Sequence, residues 1–340
     1  MSGLRIGYGL RGATGEVAAE AARARDLGFD AISTAEVAHD PFLPLAVAAG
    51  SSGEMRLETH IAVAFARSPM VMAGAAHYLH LLSGGRLVLG MGTQIKPHIQ
   101  RRFAMPWSGR PAAQMRDYIQ ALHAIWRDWN EGVPLDFRSE HYAHTLMTDN
   151  FRPAAAPAPP EVHLAAVGPV MTRLAGELAD GLIPHAFSTP EWFRAVTLPH
   201  LHEGLERAGR QRSDVVVHCP GFVVVTGAEG ADEDVVLALR RQIAFYGSTP
   251  AYAEVLRQRG RGDLHEQLHQ LSVSKDPERW ARMGDLVDDD VLGAFAVIGP
   301  LDRVAEELRA RYGTDVDQVH LALPESTGAE DLAAFRERLS

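Results

Sequence analysis

Eight β-rich runs alternating with eight helix-period stretches predict a (β/α)8 barrel, an α/β fold in which a parallel sheet closes on itself beneath a layer of helices. The apolar run Leu87-Val88-Leu89 opens directly into Gly90-Met91-Gly92-Thr93-Gln94, so glycines and polar groups stand where a buried strand becomes a loop. Parallel α/β enzymes keep their chemistry at such strand ends. With 340 residues, nearly half of them apolar, the chain is long enough to bury one large core.

Residues 4–10 read as the first strand and 16–27 as an amphipathic helix closed by Gly28. Residues 31–35 form the next strand, followed by a helix near 42–49. The strand 57–66, the helix 70–82 and the strand 86–89 continue the series. A helix over 111–129 carries Met115, Ile119, Leu122, Ile125 and Trp126 at helical spacing, a stripe that belongs to the core. Residues 130–161, rich in aromatics, His and Pro, read as a long insertion or lid. Regular units resume with strand 162–167, helix 170–179, strand 181–185 and helix 191–208. A seventh strand over 215–226 precedes a helix over 232–245 and a second insertion over 247–290. Helix 301–312, strand 318–323 and a closing helix 329–339 complete a single barrel domain spanning 1–340, with no internal repeat.

The formal charge of −10 argues against a nucleic-acid partner, because such binding rests on neutralising phosphates with Lys and Arg. No stretch approaches the roughly 18 unbroken apolar residues of a membrane helix, and the N-terminus starts with a strand pattern and lacks signal-peptide features. The expected location is the cytoplasm and the expected partner a small molecule. The single Cys219 excludes an intramolecular disulfide and, beside Pro220 in an apolar strand, reads as a buried structural thiol. Against the acidic total, Lys96, His98, Arg101 and Arg102 cluster in one loop and would attract an anionic small molecule; the alternative is a solvated basic turn.

Three motifs invite other readings. Gly7-Tyr8-Gly9-Leu10-Arg11-Gly12 follows a strand and has Glu36 at the end of the next one, as a dinucleotide fingerprint would. A Rossmann helix would start inside the glycine motif, however, whereas the helical pattern here starts near Gly15 and Glu16. His265-Glu266-Gln267-Leu268-His269 matches the zinc-protease spacing. It lies in a polar insertion without an obvious third ligand, so an amphipathic surface helix is expected and no metal site is assigned. The pairs His141 and His144, and His200 and His202, carry no more than the proximity that 16 histidines produce by chance.

Six segments resemble the luciferase-like monooxygenase superfamily, in its deazaflavin (F420)-dependent oxidoreductase branch. They are residues 38–45 (AHDPFLPL), 62–69 (AVAFARSP), 83–86 (SGGR), 94–98 (QIKPH), 244–252 (AFYGSTPAY) and 288–292 (DDDVL). The resemblance implies a bacterial-luciferase-like barrel, commonly dimeric, with coenzyme F420 at its C-terminal mouth. It also implies a third-strand bulge with a non-proline cis peptide against the cofactor ring, here at His60-Ile61, with Ala62 and Val63 beside it. Gly92, Thr93 and Gln94 would lie along the ring and ribityl chain, and Lys96, Arg101 and Arg102 near the phosphate or acidic tail. The phosphate would meet Val167-Gly168-Pro169 ahead of the helix bearing Arg173, where helix N-termini offer free N–H groups.

Many such enzymes place an Asp-His pair at the end of the second strand; this chain has Glu36-Val37-Ala38-His39-Asp40 instead. Glu36 is the first candidate for proton handling and His39 the second, their structural alternatives being a rim salt bridge and a helix cap. His98, Trp107, His141 and Tyr142 are candidate substrate contacts. The implied activity is hydride transfer between deazaflavin C5 and a small organic substrate. An FMN-dependent monooxygenase on the same barrel, a cofactor-binding relative without turnover and an NAD(P) dehydrogenase are the other readings.

Overall fold

The computed structural model describes residues 4–11, 15–227, 233–324 and 326–339. Contacts divide the chain into two compact units, Arg5–Ile183 with His200–Val216, and Met1–Leu4 with Pro184–Pro199 and Val217–Ser340.

The first unit alternates strand and helix. Its elements are β1 (Arg5–Gly9), α1 (Val17–Leu27), β2 (Ala31–Thr34), α2 (Phe42–Ala48), β3 (Arg56–Thr59), β4 (Ala62–Val63), α3 (Pro69–Leu82), β5 (Leu87–Gly92), α4 (Pro111–Glu131), β6 (Phe137–Arg138), β7 (Ala143–His144), β8 (Glu161–Ala166) and α5 (Pro169–Leu178), leading into β9 (Gly181–Pro184). The sheet runs in the order β9-β8-β5-β3-β2-β1, and the registers from β1 to β8 are parallel. Strands β2 and β5 are buried on both faces, as in a sheet covered by helices. Helix ends follow local chemistry: Gly28 closes α1 at φ 90°, and Ser68 accepts from Val71 N–H just before Pro69 opens α3.

Between β3 and β4 the ladder slips. Glu58 faces Val88 while Ala62 faces Met91, so four steps on one strand match three on the other and one extra residue is accommodated. The His60-Ile61 peptide inside this bulge is cis. Gly90 lies opposite it because a Cβ there would sit 2.0 Å from the Thr59 carbonyl oxygen.

The expected insertion after α4 carries the antiparallel hairpin β6-β7, docked along α4. His77 on α3 donates to the Ala154 carbonyl at 2.8 Å, and Arg152 pairs with the buried Asp128 on α4 at 3.0 Å. On the outside, α2 and α3 leave apolar side chains exposed at helical spacing: Leu43 and Val47, then Val71, Tyr78 and Leu82, each more than half exposed.

In the second unit, Pro190–Trp192 (α6) and Leu198–Arg207 (α7) are joined by a π-helical turn, and the latter helix runs on into the first unit. The expected seventh strand is two pieces, β10 (Val216–Val217) and β11 (Phe222–Val225), broken at Pro220-Gly221. Gly221 has φ 82°, and a Cβ on it would lie 2.8 Å from the Phe295 carbonyl oxygen. The second insertion is helical: α8 (Glu233–Gly247) leads to α9 (Ala253–Gln258), α10 (Gly262–Val273), α11 (Arg279–Asp285) and α12 (Asp289–Phe295), the last capped by Asp288. A strand absent from the sequence reading follows at once, β12 (Ala296–Gly299), parallel to β11. Then come α13 (Leu301–Tyr312), β13 (Gln318–Leu321) and α14 (Ala329–Leu339).

The zinc-like motif resolves structurally. The His265 and His269 Nδ1 atoms donate to the Gly247 and Ser248 carbonyls at 2.7 and 3.0 Å, pinning α10 to the end of α8. His265 is buried, not on a surface as expected of an amphipathic surface helix. Cys219 is half-buried, and burial pushes its thiol far above the usual range, in keeping with an inert structural thiol.

Candidate active site

The C-terminal ends of β2, β3-β4 and β5 bring the sequence-derived residues together. Glu36 follows β2 and points at the bulged strand. Its carboxylate accepts from Val63 N–H at 2.7 Å and from both ends of the Arg67 guanidinium, at 2.8 and 2.7 Å. Arg67 also lies 3.5 Å from Asp40 and keeps its own carbonyl bonded to the Tyr118 hydroxyl at 3.1 Å. The side chain of Glu36 is 6% exposed. The carboxylate is therefore occupied by charge-assisted bonds, the rim ion pair that is the structural alternative to proton handling, and these bonds tie it to the β4 backbone. Arg67 stands within one of the segments that carry the resemblance, but its partner is only found once the sheet register is known.

His39 is half-buried, with Nδ1 donating to the Asp40 carbonyl at 3.0 Å. That bond leaves Nε2 as the basic atom of the neutral ring. The capping role falls to Asp40, whose side chain accepts from Phe42 and Leu43 N–H at 2.8 and 3.2 Å.

The bulge residues lie on the strand beside Gly92. Ala62 and Val63 are buried and pair with Met91 and Gly92, and a Cβ on Gly92 would stand 3.2 Å from both Ile61 and Ala165. Past Gly92 the chain turns through half-buried Thr93 and through Gln94 at φ 59°, whose side chain accepts from Ile95 N–H at 2.9 Å. The basic loop forms a π-helical turn over His98–Arg102. Lys96 and Arg101 are exposed there. Arg102 is committed elsewhere: it donates to the Val37 carbonyl and lies over the Phe103 ring.

At the far end of β8, Gly168 starts α5 with no side-chain cap, and open space stands where its Cβ would be. The first N–H groups of this helix are thus available to an anion beside Val167 and Pro169. Arg173 is not part of that cradle; it pairs with Glu203 at 3.0 Å.

The four candidate substrate contacts divide. Trp107 packs edge-on against Phe65, which adjoins Tyr118. His141 and Tyr142 sit on the hairpin: His141 Nδ1 donates to Asp117 at 2.7 Å, and the Tyr142 hydroxyl accepts from Gln114 at 2.8 Å. Both are thereby fastened to α4. Burial raises the Tyr142 hydroxyl and pushes that of Tyr118 well above the usual range, so both stay neutral. His98 opens the π-turn, half-buried. A cavity of about 710 Å³ lined by His123, Trp126, Arg127 and Asp180 opens instead at Glu161, the opposite end of β8 from Gly168, and is not this site.

In the second unit an aromatic cluster surrounds His185, the residue after β9. Its ring centroid lies 4.6 Å from that of Tyr246 and 4.7 Å from that of Tyr252. Both tyrosines belong to the 244–252 segment, which carried the resemblance but no assigned role.

The dinucleotide reading fails on this geometry. The last glycine of its motif, Gly12, lies outside the described residues; α1 starts at Val17, and Glu36 is engaged by Arg67.

Comparison with known proteins agrees with the barrel. Residues 4–318 match the family model of luciferase-like monooxygenases, and the chain belongs to that family, which places it among the oxidoreductases. It is 50% identical over 294 residues to an uncharacterized protein of Mycobacterium tuberculosis, covering 86% of this chain and 85% of that one. The structure of a coenzyme F420-dependent tetrahydromethanopterin reductase from Methanopyrus kandleri superposes with a TM-score of 0.77 at 21% identity, over 99% and 98% of the two chains. The FMN-bound oxygenating constituent of 3,6-diketocamphane monooxygenase from Pseudomonas putida gives 0.63 at 16%, over 99% and 95%. These two likenesses establish the fold, a luciferase-like (β/α)8 barrel. No helix among the described residues is long and apolar enough to cross a membrane.

Proposed function

We propose that this chain is an F420-dependent oxidoreductase that moves a hydride between the deazaflavin C5 and a small organic substrate in the cytoplasm. Coenzyme F420, when bound, supplies the hydride chemistry; the protein supplies binding, orientation and proton management. The observation that carries the reading is the bulge: the extra residue between β3 and β4, with the Cβ-free Gly92 on the neighbouring strand, gives a flat floor for a planar ring. The uncapped start of α5 at Gly168 suits a phosphate, and exposed Lys96 and Arg101 suit an acidic tail. Arg102 and Arg173, already paired, are left out of that set. We assign proton handling to His39 through Nε2, with the Glu36–Arg67 pair holding the strand beside it.

The apolar stripe on α2 and α3 supports a homodimer, because exposed Leu43, Val47, Val71, Tyr78 and Leu82 on adjoining helices make a face that a second copy would cover. FMN is the second cofactor reading, supported by the FMN-bound neighbour.

Equilibrium titration with F420 and, separately, FMN, followed by the fluorescence of each ring, tests the assignment. The expected result is tight binding of F420 and weak binding of FMN, with Gly168→Val lowering F420 affinity at least tenfold while leaving the fold intact. Gly168 has an ordinary negative φ of −102°, so the added bulk reports on ligand space and not on strain. Preference for FMN would move the chain to the monooxygenases, and binding of neither would remove the cofactor site.

A further inference from the structure

Among the residues that the proposed function leaves without a role, His185 and Tyr252 stand out for what their polar atoms lack. His185 Nδ1 accepts from Phe187 N–H at 3.0 Å, so the proton of the neutral ring resides on Nε2. Among the described residues neither His185 Nε2 nor the Tyr252 hydroxyl makes a hydrogen bond. The two rings are 4.7 Å apart and tilted by 36°, and Tyr246 stands edge-on to the imidazole at 84°. Behind them Phe187 stacks on Phe295 with centroids 4.3 Å apart, which fixes the backbone that sets the His185 tautomer. His185 and Tyr252 are half-buried, so the donors are desolvated without being sealed off.

We propose that His185 Nε2–H and the Tyr252 hydroxyl form a two-donor site for the oxygen of a ketone or aldehyde substrate, with Tyr246 as a wall for its carbon skeleton. The proposal rests on the oxidoreductase reading above and adds the substrate class. An imidazole N–H and a phenolic O–H can both donate to a carbonyl oxygen, and the neutral imidazole keeps no free acceptor because Nδ1 is taken by Phe187 N–H. The two donors also match the side of the molecule where negative charge grows when a carbonyl is reduced. Burial lowers the imidazole to about 4 and raises the Tyr252 hydroxyl to about 12, so both remain neutral donors across the physiological range. A neutral imidazole acting as an electrophile toward a carbonyl has precedent on a barrel enzyme. The position suits the role, since His185 immediately follows a strand and (β/α)8 enzymes place their chemistry at the C-terminal ends of strands.

The test uses the full-length chain labelled with 15N-histidine and two probes of similar shape, cyclohexanone and methylenecyclohexane, of which only the first carries an oxygen. The expected outcome is that cyclohexanone shifts the His185 Nε2–H resonance, identified by its loss in His185→Ala, and methylenecyclohexane does not. His185→Ala and Tyr252→Phe should each weaken cyclohexanone binding about three- to tenfold, the scale of one neutral hydrogen bond. His185→Gln, which keeps a donor at the end of the side chain, should recover most of the loss of the alanine variant. Equal binding of the two probes, or unchanged affinity in both variants, overturns the site. Parallel F420 titration separates the two readings. Normal F420 binding with indifferent ketone binding removes only this site, and oxygen-selective ketone binding in a chain that ignores F420 keeps the site and removes the cofactor.

Discussion

Arg67 holds Glu36 by both carboxylate oxygens, at 2.8 and 2.7 Å, across thirty-one residues of sequence. Both side chains are mostly buried, at 16% and 6% exposure, so removing one partner strands the other. Arg67→Ala should cost roughly 3–5 kcal/mol in urea unfolding. Arg67→Lys should recover only part of it, because an ammonium lacks the fork that matches both oxygens. A loss below about 1 kcal/mol would mean that the pair behaves as a solvated surface bridge.

Gly90 should tolerate no side chain. A Cβ would meet the Thr59 carbonyl oxygen at 2.0 Å and Ile183 at 3.0 Å, and the first of these is backbone that cannot swing away. Gly90→Ala should therefore fall beyond about 4 kcal/mol or fail to give soluble protein. Near-normal thermal unfolding of that variant would show that the bulge relaxes more freely than its packing suggests.

The hairpin should depend on Asp117. Its carboxylate accepts from both the ring and the backbone N–H of His141, at 2.7 and 3.2 Å. Asp117→Ala should cost about 1–3 kcal/mol and raise amide hydrogen exchange over residues 137–144, with little change in the strands of the sheet. Uniform exchange across the molecule would instead assign Asp117 to global stability.

The stripe on α2 and α3 should control association. Introducing charge with the double substitution Val71→Asp and Tyr78→Glu should give a monomer in sedimentation velocity, with circular dichroism unchanged, since both positions are exposed in the single chain. A wild-type protein that already sediments as a monomer would remove the proposed interface.

Acid stability should report on Glu161. Burial raises its carboxyl, but hydrogen bonds from His163 and Arg56 outweigh that and hold it at about 2, against 4.5 for the free group. A depressed carboxyl stabilises the fold above the unfolded value and loses that contribution as pH falls toward the folded one. The window is therefore pH 4.5 down to 2. Glu161→Gln should flatten the fall in stability over that range in acid unfolding monitored by circular dichroism.

Much of the barrel was legible because its signals are local: alternating apolar runs, Gly28 after a helix and Ser68-Pro69 before one. The cis peptide His60-Ile61 is legible only through the resemblance, which places the bulge without coordinates. What escaped was long-range. Nothing local says that Arg67 belongs to Glu36, or that Arg102 spends its charge on the Val37 carbonyl. Strand β12 escaped because it follows α12 without a turn, so nothing local marks where Phe295 ends the helix and Ala296 starts the strand. The helices of the second insertion are not legible in the sequence because they are short, six to twelve residues between Ala253 and Phe295, and draw their stability from packing around Phe187 and Phe295.

The hairpin segment is sewn to α4 through Arg110, Gln114, Asp117, Asp128 and Asn130, and to α3 through His77. Side-chain stitches of this kind melt separately from a sheet held by backbone ladders. Warming should therefore loosen residues 137–144 well before the barrel opens. The molecule then has a thermal range in which its sheet is intact while the hairpin is already loose.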